Sequence, residues 1–468
     1  MESQKNSLGT FALILLVAGQ LLPQIDFSIV NVALERIGQS LDTNDIGLVL
    51  IVAIYGLAYA AMIATGGRLG DRYGRKKIFL IGVIGFGLAS VICGMSENLT
   101  VMLIGRLLQG VFGALLIPQI LAIIHSSLSG ERHSRAVGIY TSIGGLSFVL
   151  GQSLGGWLVS ANVFDLGWRL TFFVNIPVCV FVLIFGFKVI PESQTQAIPK
   201  MDYAGISLFT LLLTCLLVPM SVGSHWPELW WLLLFTLPLS WMLWNLQVRK
   251  EAQKQNPVFP PSLFNTPKFV VGIICLMGVA LTFPGYIFVT ALTLQSKLHF
   301  TPLQSGNTFI SMGLLYFLGS ILSKRIGARI DDYRYYIIGI SLTVIGFIST
   351  TYAIDWFGNQ IQVWDLVIAT AFAGFGNSCL ASSAYRIALS HVEQNQASGA
   401  STVLNTVMQG CFPISTAISG EIYSITSSFN EVVTMTSVLT VLAAILMVVG
   451  IIVYAKRPVR QLASIKPQ

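Results

Sequence analysis

The chain has 468 residues, of which 54% are hydrophobic and only 10% are charged, with a mean hydropathy of +0.75. Soluble domains carry about 25% charged residues, so this composition excludes a water-soluble protein and indicates a membrane protein. The formal net charge of +7 is spread over many short connectors, which argues against a nucleic-acid partner and for a lipid bilayer around the chain.

Apolar runs long enough to cross a membrane follow one another along the whole chain. A crossing helix needs about 20 apolar residues, and strands are excluded because runs of this length do not alternate as barrel strands do. The sequence therefore predicts an all-α membrane protein with 14 transmembrane helices. They are expected at 8–33, 46–67, 78–96, 99–125, 135–160, 168–190, 203–222, 229–248, 269–296, 303–326, 334–354, 362–390, 397–424 and 431–455.

The distribution of Lys and Arg predicts the orientation. Of the 27 cationic residues, three (Arg36, Arg169 and Lys297) fall in the odd-numbered connectors and two (Arg106 and Arg386) fall inside predicted helices. The other 22 lie in the even-numbered connectors and the two tails. Positive charge marks the cytoplasmic side of a membrane protein. We expect a multi-pass protein of the cell membrane (bacterial inner or plasma membrane) with both termini in the cytoplasm.

A short internal repeat predicts the domain organisation. "LGDRYGRK" follows the second predicted helix and "LSKRIGAR" follows the tenth. These points are equivalent if two six-helix sets are separated by two inserted helices, and duplicated helix sets are common in transporters. The prediction is an N-terminal six-helix bundle over 1–195, two inserted helices over 196–250, a cytoplasmic connector over 251–268, and a C-terminal bundle with its tail over 269–468.

Five segments together resemble one family. "GRLGDRYGRKK" (67–77) resembles motif A of the major facilitator superfamily, and "LIGRLLQGVFGA" (103–114) resembles its motif B. "GIYTSIGGLSFVLGQSLGGWL" (138–158) resembles motif C, which is associated with exporters. "QIDFSIVNVAL" (24–34) and "WRLTFFVNIP" (168–177) resemble signatures of the fourteen-span drug:proton antiporters. The resemblance implies the major facilitator fold and export of lipophilic or amphipathic small molecules in exchange for protons, by alternating access.

Motif A combines glycines, cations and one acid between two apolar helices. Glycines permit a tight turn and close helix approach, and the acid can pair with a neighbouring arginine or accept from a helix N-terminus of the other half. The resemblance implies a latch on the cytoplasmic gate, and the alternative is a loop that only fixes topology. The residues concerned are Gly67, Gly70, Asp71, Arg72, Gly74 and Arg75.

Motif C predicts a glycine-lined fifth helix that packs closely on a helix of the other half. Ordinary glycine-mediated packing is the alternative interpretation. Relatives often carry a Gly-Pro pair where this chain has Gly-Gln, so we expect a straighter helix, because the proline that would bend it is missing. The residues singled out are Gly138, Gly145, Gly151, Gln152, Gly155 and Gly156.

Asp26 and Arg106 are the ionisable residues predicted deep inside helices. At about 1.5 Å per residue, they lie about 9 and 10 Å below the same membrane face. A lone buried arginine is costly, and intramembrane ionisable residues mark ion pathways. We therefore expect an Asp26–Arg106 pair with a role in proton coupling. A purely structural ion pair is the alternative.

Other polar and aromatic side chains predict a midplane cavity with aromatic walls and few charges. Such a cavity suits an amphipathic organic substrate, although each of these residues can equally serve helix packing. The cavity candidates are Tyr55, Tyr59, Gln109, Gln119, Phe283, Tyr286, Tyr316, Asn405 and Gln409.

The sequence leaves two alternatives to export. Proton-coupled uptake of a metabolite by a symporter of the same fold is the first, because motif C departs from the exporter pattern. A membrane-embedded enzyme or sensor is the second, but HExxH is missing, as is a GxxxxGK[ST] stretch for ATP. All six cysteines lie in apolar runs without metal-type spacing. We expect no cofactor, metal or enzymatic activity, and a monomer with a small-molecule substrate and protons as partners.

Overall fold

The computed structural model describes residues 8–192, 202–223, 226–253, 255, 257–327, 329–392, 397–426 and 430. Every regular element in these ranges is helical. The α-helices are α1 (Thr10–Ser40), α2 (Asp45–Tyr73), α3 (Arg75–Gly94), α4 (Leu99–Ser127), α5 (Gly130–Ala161), α6 (Leu170–Phe173), α7 (Asn175–Val189), α8 (Tyr203–Val222), α9 (Thr236–Ala252), α10 (Pro267–Ala280), α11 (Phe283–Ser296), α12 (Pro302–Thr308), α13 (Ile310–Gly327), α14 (Asp332–Phe357), α15 (Val363–Leu389) and α16 (Ala397–Thr426).

Eleven helical segments are long and apolar enough to cross a membrane. The more polar α5 and α16, with 32 and 30 residues, have the length to do so as well. Each of the first thirteen predicted runs coincides with a helical segment. The fourteenth, 431–455, lies outside the described residues, as do the side chains of Lys324 and Arg325 in the second copy of the repeat. The total of 14 stays a prediction.

Three of the predicted helices are each broken into two α-helices, the first being 168–190, which is α6 followed by α7 with a break at Val174. The predicted helix 269–296 is α10 followed by α11, with a break at Leu281 and Thr282. Pro284 in the first turn of α11 has no N–H to continue the helical ladder of α10. The Thr282 hydroxyl donates instead to the carbonyl of Gly278, at 2.9 Å. The predicted helix 303–326 is likewise α12 and α13, divided at Phe309.

The helices pack in two groups that meet along a central interface. In the first group α1 packs on α5 and α7, and α4 packs on α2 and α3; in the second group α15 packs on α10, α13 and α14. The two groups touch where α5 meets α12 and α13, where α2 meets α16, and where α1 meets α11. Helix α8 lies against both α2 and α16, so it covers one seam between the groups.

The outer surface of the helices is apolar. Leu237 is 80% exposed, Ile368 70% and Trp241 69%. Exposed aliphatic and indole side chains are unfavourable in water, but their contact with lipid carries no free-energy penalty. The surface thus agrees with the composition in indicating a membrane-embedded protein.

Candidate functional site

A buried polar cluster surrounds Asp26 of α1. The Asp26 carboxylate accepts hydrogen bonds from Arg106 Nη1, from Gln109 Nε2 at 3.0 Å and from Asn175 Nδ2 at 3.1 Å. Arg106 Nε also donates to the carbonyl of Ile51, at 3.1 Å. Asp26 and Arg106 are both fully buried. A buried charge needs a partner and further hydrogen bonds to be tolerated, and α1, α2, α4 and α7 together supply them here.

A second layer fixes the amides of this cluster. The Ser90 hydroxyl accepts from Gln109 Nε2 at 2.8 Å and from Asn175 Nδ2 at 3.3 Å. Gln109 also accepts from Arg106 Nη1, at 2.8 Å. Both amides are thereby oriented with their N–H groups towards Asp26. Sequence patterns did not single out Ser90 or Asn175, although Asn175 lies within the quoted "WRLTFFVNIP", because a neutral polar side chain has no obligatory partner.

Tyr55 of α2 separates the Asp26 cluster from the large cavity. Its ring lies 4.2 Å from the guanidinium carbon of Arg106, within range of a cation–π interaction. Its hydroxyl donates to the carbonyl of Pro23 at 2.8 Å. The same side chain lines the cavity and stacks on Tyr59, with ring centroids 6.0 Å apart. Tyr55 therefore forms a wall with the ion pair behind it.

The cavity has a volume of about 1440 Å³ and lies between the two groups of helices. That volume exceeds the range of about 300–1,000 Å³ usual for small-molecule sites. Six of the nine predicted cavity residues line it: Tyr55, Tyr59, Phe283, Tyr316, Asn405 and Gln409.

The other three predicted cavity residues lie elsewhere, which corrects their assignment. Gln109 belongs to the Asp26 cluster. Gln119 donates to the carbonyl of Gly66 at 2.7 Å and packs against Gly70. The Tyr286 hydroxyl shares a 2.7 Å hydrogen bond with Thr350, deep inside the second group. The depth of such a residue in its helix can be predicted from the sequence. Which side of the helix faces the cavity depends on how the helices pack.

The cavity reaches the end of the molecule that carries motif A. The helices alternate in direction, so the α2–α3, α4–α5 and α15–α16 junctions share one end, here termed the motif A end. Near these junctions lie the lining residues His125, Arg135 and Arg386. The opposite end, the far end, is where α5 packs on α12.

Motif A forms a tight junction between α2 and α3. Arg75 Nη2 donates to Asp71 Oδ1 at 2.8 Å, whereas the guanidinium of Arg72 lies over the Tyr73 ring. Of the expected partners, Asp71 thus pairs with Arg75. Among the described residues Asp71 makes no hydrogen bond to the second group of helices.

The motif A glycines have separate local roles. Gly74 joins the two helices with a φ of +100°, a conformation that residues with a Cβ rarely adopt. A Cβ on Gly70 would meet the side chain of Gln119, and one on Gly67 would touch Pro118 at 3.6 Å. Gly70 therefore permits the close approach of α2 and α4.

The motif C helix closes the far end. A Cβ on Gly156 would lie 3.0 Å from Leu303 Cα of α12, and one on Gly155 would lie 2.9 Å from the carbonyl oxygen of Ile29. Ser153 Oγ donates to the carbonyl of Gly306 at 3.3 Å. Close backbone contact therefore joins α5 both to α1 and to the second group of helices.

The remaining motif C residues differ from one another. Gly151 packs against Ser28 of α1, whereas Gly138 faces open space and lines the cavity. The surroundings of Gly145 lie outside the described residues. Gln152 is 1% exposed, and neither its Oε1 nor its Nε2 has a hydrogen-bond partner within the described part of the chain. Helix α5 runs without interruption through Gln152.

The sequence patterns also did not predict a contact of the connector between α9 and α10. Arg68, inside motif A, donates to the carbonyl of Pro257 between α9 and α10. Gln247 accepts from the backbone of Phe259 at 3.1 Å, and Glu251 accepts from the Ser262 hydroxyl at 2.6 Å. The connector is therefore held against both α9 and motif A.

Two groups of membrane-length helices, a large cavity between them and a buried ion pair beside that cavity define a membrane transporter. The sequence model of the Major Facilitator Superfamily matches residues 16–289 and 269–468. The chain belongs to this superfamily.

Several relatives are named as transporters or resistance proteins. The chain is 30% identical to a probable actinorhodin transporter of Streptomyces coelicolor, over 88% of this chain and 72% of that protein. It is 29% identical to a puromycin resistance protein of Streptomyces alboniger, over 85% and 78% of the two chains. A probable multidrug resistance protein of Escherichia coli is 26% identical, over 82% and 74%.

Solved structures agree in fold. An auto-inhibited peptide transporter of the POT family has a TM-score of 0.66 at 12% identity, covering 98% of this chain and 99% of that one. A bacterial homologue of the human lysosomal transporter Spinster, in an inward-facing conformation, has a TM-score of 0.62 at 16% identity, covering 94% and 96%. At these identities the likeness concerns the fold alone.

Proposed function

We propose that this chain is a proton-coupled secondary transporter that exports lipophilic or amphipathic small molecules by alternating access. The observation that carries the proposal is the position of Asp26: fully buried, paired with Arg106, and separated from the cavity by one aromatic ring. The names of the relatives, which include a transporter and two resistance proteins, support the direction and the substrate class.

The geometry suggests how coupling works. Protonation of Asp26 removes the charge that Arg106 balances, and so weakens the hydrogen bonds that hold α1 to α4 and α7. A substrate that moves Tyr55 alters the contact of its ring with Arg106. Proton and substrate thus act on the same ion pair from opposite sides, and coupling requires such differential contacts in the two states.

Proteoliposomes loaded with a pH-sensitive dye test this function. Addition of actinorhodin or puromycin, the compounds named for two of the relatives, is expected to drive proton movement in the wild type. Asp26→Asn keeps the size of the side chain but cannot exchange a proton, so proton movement is lost while exchange of substrate down its gradient continues. The control Asp42→Asn changes an exposed aspartate at the end of α1 and retains the flux.

The sign of the flux separates export from uptake. Substrate and protons moving in opposite directions indicate antiport, whereas movement in the same direction indicates the symport alternative that Gln152 in motif C left open. Wild-type proton flux in Asp26→Asn would remove Asp26 from the proton path.

Orientation and domain division complete the proposal. The motif A end faces the cytoplasm with both termini, the protein lies in the cell membrane, and the chain divides as 1–195, 196–250, 251–268 and 269–468. The cation distribution and the packing of α8 on both α2 and α16 support this arrangement. The cavity then opens towards the cytoplasm, and the protein works as a monomer.

A further inference from the structure

The cavity has an uneven distribution of charge. The lining side chains with strongly basic groups are Arg135 and Arg386, and His125 lies near them at the motif A end. No Asp or Glu lines the cavity within the described part of the chain. Asp26, the buried acid nearby, is behind Tyr55 and already accepts three hydrogen bonds. An organic cation entering this cavity therefore meets no counter-charge.

Two hydrogen-bond donors on α15 also favour a ligand with acceptor groups over a cation. Asn377 is 2% exposed and lines the cavity, and its Nδ2 has no acceptor within the described residues. Arg386 Nη2 is also buried without an acceptor among them, although Arg386 Nε donates to Asp332 at 2.6 Å. A buried donor left unsatisfied is costly. Both groups therefore favour a ligand that brings acceptor oxygens.

The rest of the lining is suited to an aromatic body. Tyr59, Phe283 and Tyr316 present rings to the cavity, and Phe283 and Tyr316 lie with centroids 6.4 Å apart. Gln20 supplies a buried acceptor, Oε1, without a donor in the described ranges. A phenolic hydroxyl on the ligand would satisfy it.

We propose that the cavity selects amphipathic organic anions: aromatic molecules that carry a carboxylate, a sulfonate or an acidic phenol, in preference to lipophilic cations. The acidic group lies near Arg386, a separate acceptor oxygen of the ligand can lie near Asn377 about 13.5 Å further along α15, and the aromatic body lies against the tyrosine and phenylalanine rings. This inference rests on the proposed function and specifies the substrate class of the same cavity.

Equilibrium dialysis of the purified full-length protein in phosphatidylcholine nanodiscs tests the preference without a proton gradient. The probes are 1-anilinonaphthalene-8-sulfonate, its uncharged parent N-phenyl-1-naphthylamine, and the cation ethidium, each corrected for empty nanodiscs. The sulfonate is expected to bind at least about tenfold more tightly than ethidium, the ratio expected when one charge-assisted contact of about 1.4 kcal/mol is gained. Equal or tighter binding of ethidium would overturn the inference.

Variants around Arg386 separate a specific contact from general attraction. Arg386→Gln should weaken sulfonate binding about tenfold and leave the uncharged parent unchanged. Asp332→Asn removes the acid paired with Arg386 and should strengthen sulfonate binding. Arg334→Gln, which removes an exposed cation at the start of α14 outside the cavity lining, should change neither.

Asn377→Asp is an independent test on the second donor. It keeps the side-chain shape, replaces a donor by an acid, and should reduce binding of the sulfonate while improving binding of ethidium. Unchanged selectivity in both Arg386→Gln and Asn377→Asp contradicts the anion preference. Because these are binding measurements, they stand if proton coupling fails, whereas loss of flux with intact binding affects only the proposed function.

Discussion

At the scale of single residues, Tyr55 connects the two functional parts of the molecule. One face of its ring lies over Arg106, and its hydroxyl donates to the carbonyl of Pro23 in α1. The side chain also lines the cavity. A substrate in the cavity and a proton on Asp26 can therefore affect each other through one side chain.

Replacement of Tyr55 should uncouple transport. Tyr55→Ala opens the wall between the cavity and the ion pair, and we expect proton leakage without substrate, several-fold above the wild type, measured as decay of a pH gradient in proteoliposomes. Tyr55→Phe keeps the ring and loses only the bond to Pro23, which is worth about 1 kcal/mol, so it should leak little. Tyr59→Ala is the matched control, because Tyr59 stacks on Tyr55 and lines the same cavity. Equal proton leakage in both alanine variants would show that Tyr55 does not separate the cavity from the ion pair.

The pairing of Asp26 with Arg106 shows what sequence can predict at this scale. Matching depths in α1 and α4 and the cost of an unpaired charge pointed to the pair. The amides of Gln109 and Asn175 could not be assigned in the same way, because a neutral polar side chain has no obligatory partner. Motif residues such as Asp71 show a further limit: the sequence offered Arg72 and Arg75 equally, and the turn at Gly74 decides for Arg75.

At the scale of helices, the positions of the elements were predicted well and their interruptions were not. Hydropathy follows the length of an apolar run, so it predicted one helix at 269–296, where the structure has α10 and α11. Pro284 could have signalled that break. No proline marks the break at Phe309, beside the segment where α12 packs against α5.

The two helices α8 and α9 are joined at the motif A end by Asp202. Its carboxylate accepts from Lys250, from Gln247 Nε2 at 2.9 Å and from the backbone N–H of Gly205 at 2.8 Å. Burial raises the pKa of Asp202, but these hydrogen bonds and the Lys250 charge outweigh burial and hold the pKa below its ordinary value of 3.8. The folded state therefore favours the ionised carboxylate.

This shift predicts a pH dependence for the α8–α9 contact. Because the pKa is lower in the folded state, the stabilisation is complete above the unfolded value of 3.8 and is lost as the pH falls through the folded value. Asp202→Asn should lower the melting temperature of the detergent-solubilised protein at pH 7, and the difference from the wild type should shrink towards pH 3. Asp42→Asn, in an exposed turn, is the control. A difference that is independent of pH would show that Asp202 acts through packing alone.

At the scale of the whole molecule, orientation decides the meaning of the open cavity. The six cysteines are all buried, so a cysteine introduced at the surface can be labelled selectively. Cysteines at Gln255, beside motif A, and Asn359, at the far end, should react from opposite sides of the membrane: Gln255 from the cytoplasm and Asn359 from outside. Both positions are exposed. Labelling of both from the same side would overturn the proposed topology.

The equilibrium between conformations open at the far end and conformations open at the motif A end should depend on the contact of α5 with α12. Gly156→Ala places a Cβ against the backbone of Pro302 and Leu303, which cannot give way as a side chain can. Overpacking of this kind costs about 1–3 kcal/mol, so the far end should open. Gln152→Leu acts in the other direction, because it removes a buried amide without partners among the described residues and should stabilise the closed far end by about 1–3 kcal/mol.

Both shifts can be measured as distances between spin labels. Labels at Gln39 and Gln360 report on the far end, and labels at Ser129 and His391 report on the motif A end; all four positions are exposed. Gly156→Ala should lengthen the far-end distance and shorten the other, and Gln152→Leu should narrow the distribution around the far-end-closed state. Gly138→Ala is the matched control, since a Cβ there meets nothing within 4 Å. If Gly156→Ala and Gly138→Ala give the same distributions, the α5–α12 contact does not govern the equilibrium. The rocking of the two groups of helices then depends on other contacts, such as that of α2 with α16.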